Sequence, residues 1–370
     1  MALINPDSED FSSVSAYLKM SASVYGVADT PRELKMDENE DSDNCVMPAS
    51  IKPKYSQLKM HIVKGEHLPK LDVKVFGEGT MDAFIRTKVG SKKLMTRIIE
   101  TKQDEATWNQ TFMIPVRMPI MTGKLILDVM DLDKVTDEQA GALIFDFKDL
   151  LARESGSFFW ANIYGAPGQE EVKLIDSSSD VAEEMNKDPT KATSWKGRIL
   201  IGVEHEENVE TPRCGVESMS TTAPLDKNGD PMMKNGVALE SIVARSQNFI
   251  RQKKYQIMYE FGTCNNIPEK LGKFNLMLKI GEHSYISKNS EKDRAVGYNY
   301  NRWNQKTLEP EEIELPYGGV DEMDEIFLYL VPDAGGLGGV FGGGKEPKVG
   351  KPISYAKLRA SEFQDPNPKL

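Results

Sequence analysis

The sequence predicts an all-β chain made of two antiparallel β-sandwiches, the second degenerate and incomplete at its C-terminal end. Three observations carry that expectation. From residue 55 the chain becomes a series of short runs of β-forming residues separated by turn residues. The 370 residues suffice for two or three domains at roughly 100 to 200 residues each. Finally, Trp108-Asn109-Gln110 recurs as Trp303-Asn304-Gln305, an offset of 195, and each copy runs into a β stretch with a late proline, Pro115 and Pro316.

Taken in order, residues 1–52 form a leading segment. It holds one alternating stretch, Tyr17 to Tyr25, and an acidic run from Asp37 to Asn44 flanked by Pro31 and Pro48, which is most simply a solvated linker. The first sandwich spans 53–206. Its strands are expected at Gln57 to Lys64, Asp82 to Val89, Lys93 to Ile99, Thr107 to Val116, Lys124 to Met130, Ala142 to Phe147, Phe158 to Tyr164 and Lys196 to Glu204. A polar excursion from Ser177 to Pro189 separates the last two. Residues 207–246, rich in Glu, Thr, Asn and Pro, are expected to be a linker ending in a short helix around Ala238 to Ala244. The second sandwich, 247–370, shows strands at Tyr255 to Phe261, Lys273 to Ile280, Glu325 to Val331 and Ile353 to Leu358. The openings of the two sandwiches also match. Lys54-Tyr55 through Leu68-Pro69-Lys70 is answered by Lys254-Tyr255 through Ile267-Pro268-Glu269-Lys270.

Composition excludes several functions. Hydrophobic residues are 39% and charged residues 28%, and no apolar run approaches the ~18 residues of a spanning helix, so the chain is expected to be soluble. With 57 acidic against 46 basic residues the net charge is −11, which argues against nucleic acid as a partner. An anionic partner would need a bridging cation. The N-terminus lacks the basic start and apolar core of a secretory signal. Cys45, Cys214 and Cys264 form neither a disulfide framework nor a zinc knuckle, which places the chain in the cytoplasm.

The chemistry concentrates in the first sandwich. Asp72 and Asp82 flank one loop, and Asp131 and Asp133 form an Asp-x-Asp after the strand that begins at Lys124, with Asp137 and Glu138 close behind. Carboxylates gathered at one end of a sandwich repel one another until a hard cation joins them. Calcium accepts six to eight oxygen ligands at about 2.3 to 2.6 Å in mixed shells, whereas magnesium demands a tighter octahedron. Zinc is disfavoured, because none of His61, His67, His205 and His283 lies among these acids at ligand spacing. Spacing alone leaves two readings open, a calcium site or merely solvated acidic loops.

Here the residues resemble a known family. Gln57-Leu58-Lys59-Met60-His61-Ile62-Val63 through Leu68-Pro69, then Asp82-Ala83-Phe84-Ile85, Trp108-Asn109-Gln110-Thr111-Phe112 and Leu127-Asp128-Val129-Met130-Asp131-Leu132-Asp133 follow the order of a C2 domain. More narrowly, the chain resembles a ferlin. Tyr17-Leu18-Lys19-Met20, the acidic run, and Ser157-Phe158-Phe159-Trp160 through Trp195-Lys196-Gly197-Arg198 are similar to the ferlin segment that leads into its third C2 domain and closes it. The likeness covers nearly the whole chain, strongly over 55–205 and more weakly beyond 245.

The resemblance implies two C2-like sandwiches, with calcium as cofactor and an anionic phospholipid membrane as partner, in a class of proteins that works in vesicle fusion, exocytosis and membrane repair. It assigns Asp72, Asp82, Asp131 and Asp133 to calcium-ligand positions. For the fifth, counting forward from Asp131 lands on Gln139 and counting back from Gly141 lands on Glu138. Asp82-Ala83-Phe84 replaces the usual Asp-Pro-Tyr. An acidic protein is repelled by a cytoplasmic leaflet near ~−30 mV, and bound calcium reverses the local sign. Val73, Val75 and Phe76 in the first loop and Val135 in the second are candidates for insertion beside it, or for packing against the domain. Lys88, Lys92, Lys93 and Arg97 form a basic cluster where other C2 domains bind phosphoinositides, though a solvated strand face accounts for them too.

In the second sandwich the loop from Cys264 to Lys273 has no aspartate and the other loop offers only Asp333, so that unit is expected to serve packing or protein partners. Two motifs mislead. Gly339 to Lys345 mimics a phosphate loop, but Glu346 stands where Ser or Thr is needed. Asp226-Lys227-Asn228-Gly229-Asp230 starts like an EF-hand, but Pro231 replaces its glycine. No arrangement of nucleophile and base emerges, so enzymatic activity is not expected. Because a copy aligned to the first sandwich would still need its seventh and eighth strands after Leu358, the chain reads as an internal piece or truncated product of a longer architecture.

Overall fold

The computed structural model describes residues 2–4, 14–17, 54–71, 80–118, 123–133, 137–167, 179–234, 237–250, 252–264, 274–287, 291–292, 301–306, 311–316, 325–332, 352 and 354–359. At the N-terminus, β1 (Ala2–Ile4) pairs antiparallel with β2 (Val14–Tyr17). The expected strand from Tyr17 meets β2 only at that residue, and 18–25 lie outside the described residues.

Alternation builds the first sandwich. Its strands are β3 (Lys54–Glu66), β4 (Asp82–Val89), β5 (Lys92–Met95), β6 (Ile99–Glu100), β7 (Ala106–Met118), β8 (Lys124–Asp131), β9 (Glu138–Asp146), β10 (Ser157–Gly165), β11 (Ser194–Glu206) and β12 (Gly215–Ser218). They follow the order β12-β7-β3-β11-β10-β9-β8-β4-β5, with β6 on β4. The junction of β10 and β9 rests on one pair, Tyr164↔Ala142, so the path folds there into two facing sheets. Leu58, Met60 and Ile62 from one sheet meet Ile85, Leu127 and Val129 from the other, all fully buried. Each contributes roughly 1.5 to 3 kcal/mol of transfer free energy.

The repeated tripeptide now has a physical meaning. Asn109 adopts φ 48, a left-handed conformation that Asn tolerates. The β3–β7 register jumps there, from Ile62↔Gln110 to Lys64↔Thr107, which is a β-bulge. The bulge aims Trp108 into the core, where its indole N–H donates to the Ala83 carbonyl at 3.2 Å, and Gln110 accepts from the Arg97 backbone N–H at 2.6 Å.

Three expected boundaries shift. The strand from Lys93 to Ile99 breaks at Thr96, whose hydroxyl accepts from the Ile85 N–H at 2.9 Å in place of a ladder bond. Phe147 opens helix α1 (Phe147–Ala152) because Asp146 caps it, accepting from the Lys148 N–H at 2.8 Å. The excursion forms α2 (Ser179–Lys187), packed on β9 and β10.

The stretch expected to be a linker instead covers the first sandwich. Strand β12 adds to β7, with Val216 opposite Phe112. Next come β13 (Met233–Lys234), paired with β14 (Val237–Ala238), and then α3 (Ile242–Gln247), capped by Ser241. Ile242, Val243, Phe249 and Ile250 pack on Val63, Phe158, Trp160 and Leu200. The Trp160 indole donates to the Phe249 carbonyl at 2.9 Å. A few apolar residues in a polar segment suffice to dock it, and composition averages them away.

The second unit holds β15 (Gln252–Ile257), β16 (Glu260–Cys264), β17 (Phe274–Ile280), β18 (His283–Ile286), β19 (Glu291–Lys292), β20 (Asn301–Lys306), β21 (Glu311–Pro316), β22 (Ile326–Pro332) and β23 (Ser354–Leu358). One of its sheets runs β18-β17-β22-β23, the counterpart of β5-β4-β8-β9, and β15-β21 with β16-β20 stands for β3-β7. The bulge recurs as well. The register jumps from Phe261↔Gln305 to Thr263↔Arg302, across Trp303-Asn304. Phe274, Leu278, Ile280, Ile313 and Leu315 form its core. Among the described residues there is no counterpart of β10 or β11.

Candidate functional site

Strand polarity brings the acids together. The β3–β4, β6–β7 and β8–β9 connections all emerge at one end of the first sandwich, because β3 and β8 finish there and β4, β7 and β9 begin there. Across three neighbouring strands, Ala83 lies opposite Asp131 and Asp131 opposite Glu138. Asp82 lies beside them, opposite Glu100 of β6. Asp131 is 1% exposed, and its Oδ1 accepts from the Asp82 backbone N–H at 2.7 Å. The Leu132 N–H returns a bond to the Asp82 carbonyl at 3.0 Å. These two bonds tie the root of the β8–β9 loop to the start of β4, and an N–H donating to a carboxylate is a charge-assisted bond.

Register separates the two candidates for the fifth position. Glu138, exposed, stands opposite Asp131, whereas Gln139 stands opposite Met130. The Gln139 amide donates to Asp128 at 3.1 Å and to the Asn186 carbonyl at 3.3 Å, which commits it to holding α2. Asp133 is exposed and Asp137 half-buried in the same loop. Asp72, Val73, Val75, Phe76 and Val135 lie outside the described residues. Among the described residues no three His, Cys, Asp or Glu side chains are grouped closely enough to hold a metal ion. In donor type the set Asp82, Asp131, Asp133 and Glu138 fits calcium, being all hard oxygen with no imidazole or thiolate.

One apolar residue escaped the sequence reading. Leu132, between the two aspartates, is 41% exposed at the root of the β8–β9 loop. Its signal was an apolar residue inside an Asp-x-Asp.

The basic residues divide. Lys88 pairs directly with Lys93 and Val89 with Lys92, at the tip of the β4–β5 hairpin. This tip is at the far end of β4 from Asp82, so lysines and acids occupy opposite ends of the sandwich. Two like charges opposite each other are unfavourable for a strand pair, so stability does not explain Lys88 and Lys93. Arg97 leaves the cluster. The break at Thr96 turns it toward β7, where its guanidinium donates to the Thr107 carbonyl at 3.2 Å. Beside the lysines, Ile126 and Ile144 pair across β8 and β9 and are exposed on the outer face.

A charged network fixes the helical cover on the opposite sheet. Glu204 lies 3.6 Å from His61 Nε2 and 2.7 Å from the Arg245 guanidinium of α3. His61 and Arg245 together hold its carboxyl well below the usual range, at about 2, against the opposing effect of burial.

Residues 56–163 match the family model of the C2 domain. The chain is 23% identical over 252 residues to myoferlin of Mus musculus, covering 59% of this chain and 12% of that protein. It is 22% identical over 323 residues to myoferlin of Homo sapiens, covering 76% and 15%. The chain therefore spans a small fraction of the length of those relatives. It is also 31% identical over 96 residues to multiple C2 domain and transmembrane region protein 7 of Arabidopsis thaliana, covering 26% and 9%. Among solved structures, the two C2 domains of extended synaptotagmin 2 align over 94% of this chain and 87% of that one, at 13% identity and a TM-score of 0.30. No helix among the described residues is long and apolar enough to cross a membrane.

Proposed function

We propose that this chain, a ferlin-like C2-domain protein, is a calcium-dependent module for anionic phospholipid in vesicle fusion, exocytosis or membrane repair. The observation that supports the reading most is the placement of Asp82, Asp131 and Glu138 on three adjacent strands at one loop end. A buried carboxylate is costly unless hydrogen-bonded or matched by a cation. Calcium at this end would be held by Asp82, Asp131, Asp133 and Glu138, with Asp72 as a further ligand. Its charge would offset the repulsion between a chain of net charge −11 and an anionic leaflet. Leu132 would then enter the interface, contributing on the order of 1.5 to 3 kcal/mol if fully buried.

The test is co-sedimentation with phosphatidylserine-containing vesicles. Wild type pellets with calcium and stays in the supernatant with chelator, and Asp131→Asn with Asp133→Asn abolishes the difference. A shift that survives both substitutions would sink the reading.

A second reading, a calcium-independent scaffold for protein partners, draws on the second unit, whose loop from Cys264 to Lys273 has no aspartate and whose loop after Pro332 offers only Asp333. Calcium uptake below about 1 mM in calorimetry would count against it.

A further inference from the structure

The end of the first sandwich that carries the acids is also the end against which the second unit sits. Tyr164, Ala192 and Trp195, where β10 finishes and β11 begins, are buried against Phe327, Tyr329 and Val331 of β22. The Tyr329 hydroxyl donates to the Thr193 carbonyl at 2.6 Å, and the Tyr164 hydroxyl accepts from the Glu325 N–H at 2.9 Å. Lys357 of β23 lies over the Tyr164 ring and donates to the Pro189 carbonyl at 3.1 Å.

One further contact reaches the root of the β3–β4 loop. His67 directly follows β3 and adopts φ 54, in the left-handed region where few non-glycine residues sit. Its ring lies 5.6 Å from that of Trp195, and its Nδ1 is 3.0 Å from Glu282 Oε2 in the β17–β18 turn. Glu282 Oε1 is also 3.7 Å from His283 Nε2. Below this corner, Gly197 has φ 109, and a side chain there would meet the Glu66 and His67 carbonyls at 2.6 Å. The next residue, Leu68, donates its N–H to the Asp104 carbonyl at 2.9 Å, joining the β3–β4 loop to the β6–β7 loop. A left-handed non-glycine corner persists only where its surroundings over-determine it. Here they include a carboxylate supplied by the other unit.

We propose that Glu282 and His67 are positioning residues. The docked second unit fixes the corner that opens the β3–β4 loop at the acidic end, so docking and cation binding at that end are linked. Linkage is reciprocal: whatever factor docking contributes to cation affinity, the cation returns to docking. The linkage half rests on the calcium reading, whereas the fixed corner does not.

The test uses the full chain as wild type, Glu282→Gln, His67→Gln and the double variant, with hydrogen exchange and calcium calorimetry. Glu282→Gln should speed exchange over residues 67–71 at least fivefold and weaken calcium binding about fivefold, the low end of typical coupling. The double variant should be no worse than the worse single, as expected for one shared contact. In wild type, calcium should slow exchange over Ile326–Pro332. Unchanged exchange over 67–71 in Glu282→Gln overturns the proposal, as does unchanged calcium affinity in a chain that binds calcium. A wild type that binds no calcium sinks the calcium reading instead, and exchange over 67–71 still decides whether the second unit holds the corner.

Discussion

The two units share the order of one four-stranded sheet and a bulge at Trp-Asn-Gln, yet they differ in the loops and in which faces are buried. In β8 the core side chains Leu125, Leu127 and Val129 alternate with Ile126 and Asp128, which face outward. Strand β22, Ile326-Phe327-Leu328-Tyr329-Leu330-Val331, has no polar face: Ile326, Leu328 and Leu330 meet its own core and Phe327, Tyr329 and Val331 meet the first unit. A strand covered on both sides reads as a continuous apolar run. The second unit thus keeps the strand pairing and the bulge of the first, while the acids lie in one unit and the strand buried on both faces in the other.

Several substitutions would break or sharpen this contrast. The largest effect belongs to the first unit's buried ion pair, in which Arg198 holds Glu66 through Nε at 3.1 Å and Nη2 at 2.8 Å. Glu66→Ala leaves Arg198, 3% exposed, without its partner. It should cost about 3 to 5 kcal/mol in urea unfolding.

Acid should come next, acting on the helical cover of the first unit. The folded carboxyl of Glu204 is depressed from 4.5 to about 2. Its contribution is therefore complete above the unfolded value and is lost as pH falls from 4.5 toward 2. Wild type should lose stability across that window, and Glu204→Gln should flatten the slope. An unchanged slope would mean that the α3 docking is not electrostatic.

The bulge offers a direct comparison of the units. Asn109→Ala forces alanine into φ 48 and should cost roughly 1 to 2 kcal/mol. The register of the second unit jumps across Trp303-Asn304, and the cost of Asn304→Ala, measured the same way, shows whether the two bulges place their asparagines alike. Smallest is Lys88→Glu, which turns a like-charge pair with Lys93 into an attractive one. It should add roughly 0.2 to 1 kcal/mol of stability in urea unfolding.

Much of the fold was legible because alternation and turn residues act locally. Every strand expected in the first sandwich has a counterpart, and the tripeptide repeat marked a real bulge. What escaped depends on long-range pairing. Nothing local in 207–246 shows that Met219, Ile242 and Val243 find apolar surface on Phe158 and Trp160. The same holds for the site. The residue types of Asp82, Asp131 and Glu138 were legible, but that Glu138 stands opposite Asp131 and Gln139 opposite Met130 needed the β8–β9 register, and Arg97 left the lysines because of a hydroxyl at Thr96. His67 looked like an isolated histidine, since its partner Glu282 lies 215 positions away.

Calorimetric titration of calcium into the full chain and into Asp131→Asn with Asp133→Asn tests the central claim most directly. Asparagine keeps an acceptor oxygen for the Asp82 N–H while removing the charge, so the fold should survive. Wild type should give saturable heat and the double variant none. Equal heats in both, or none in a folded wild type at millimolar calcium, would contradict that claim.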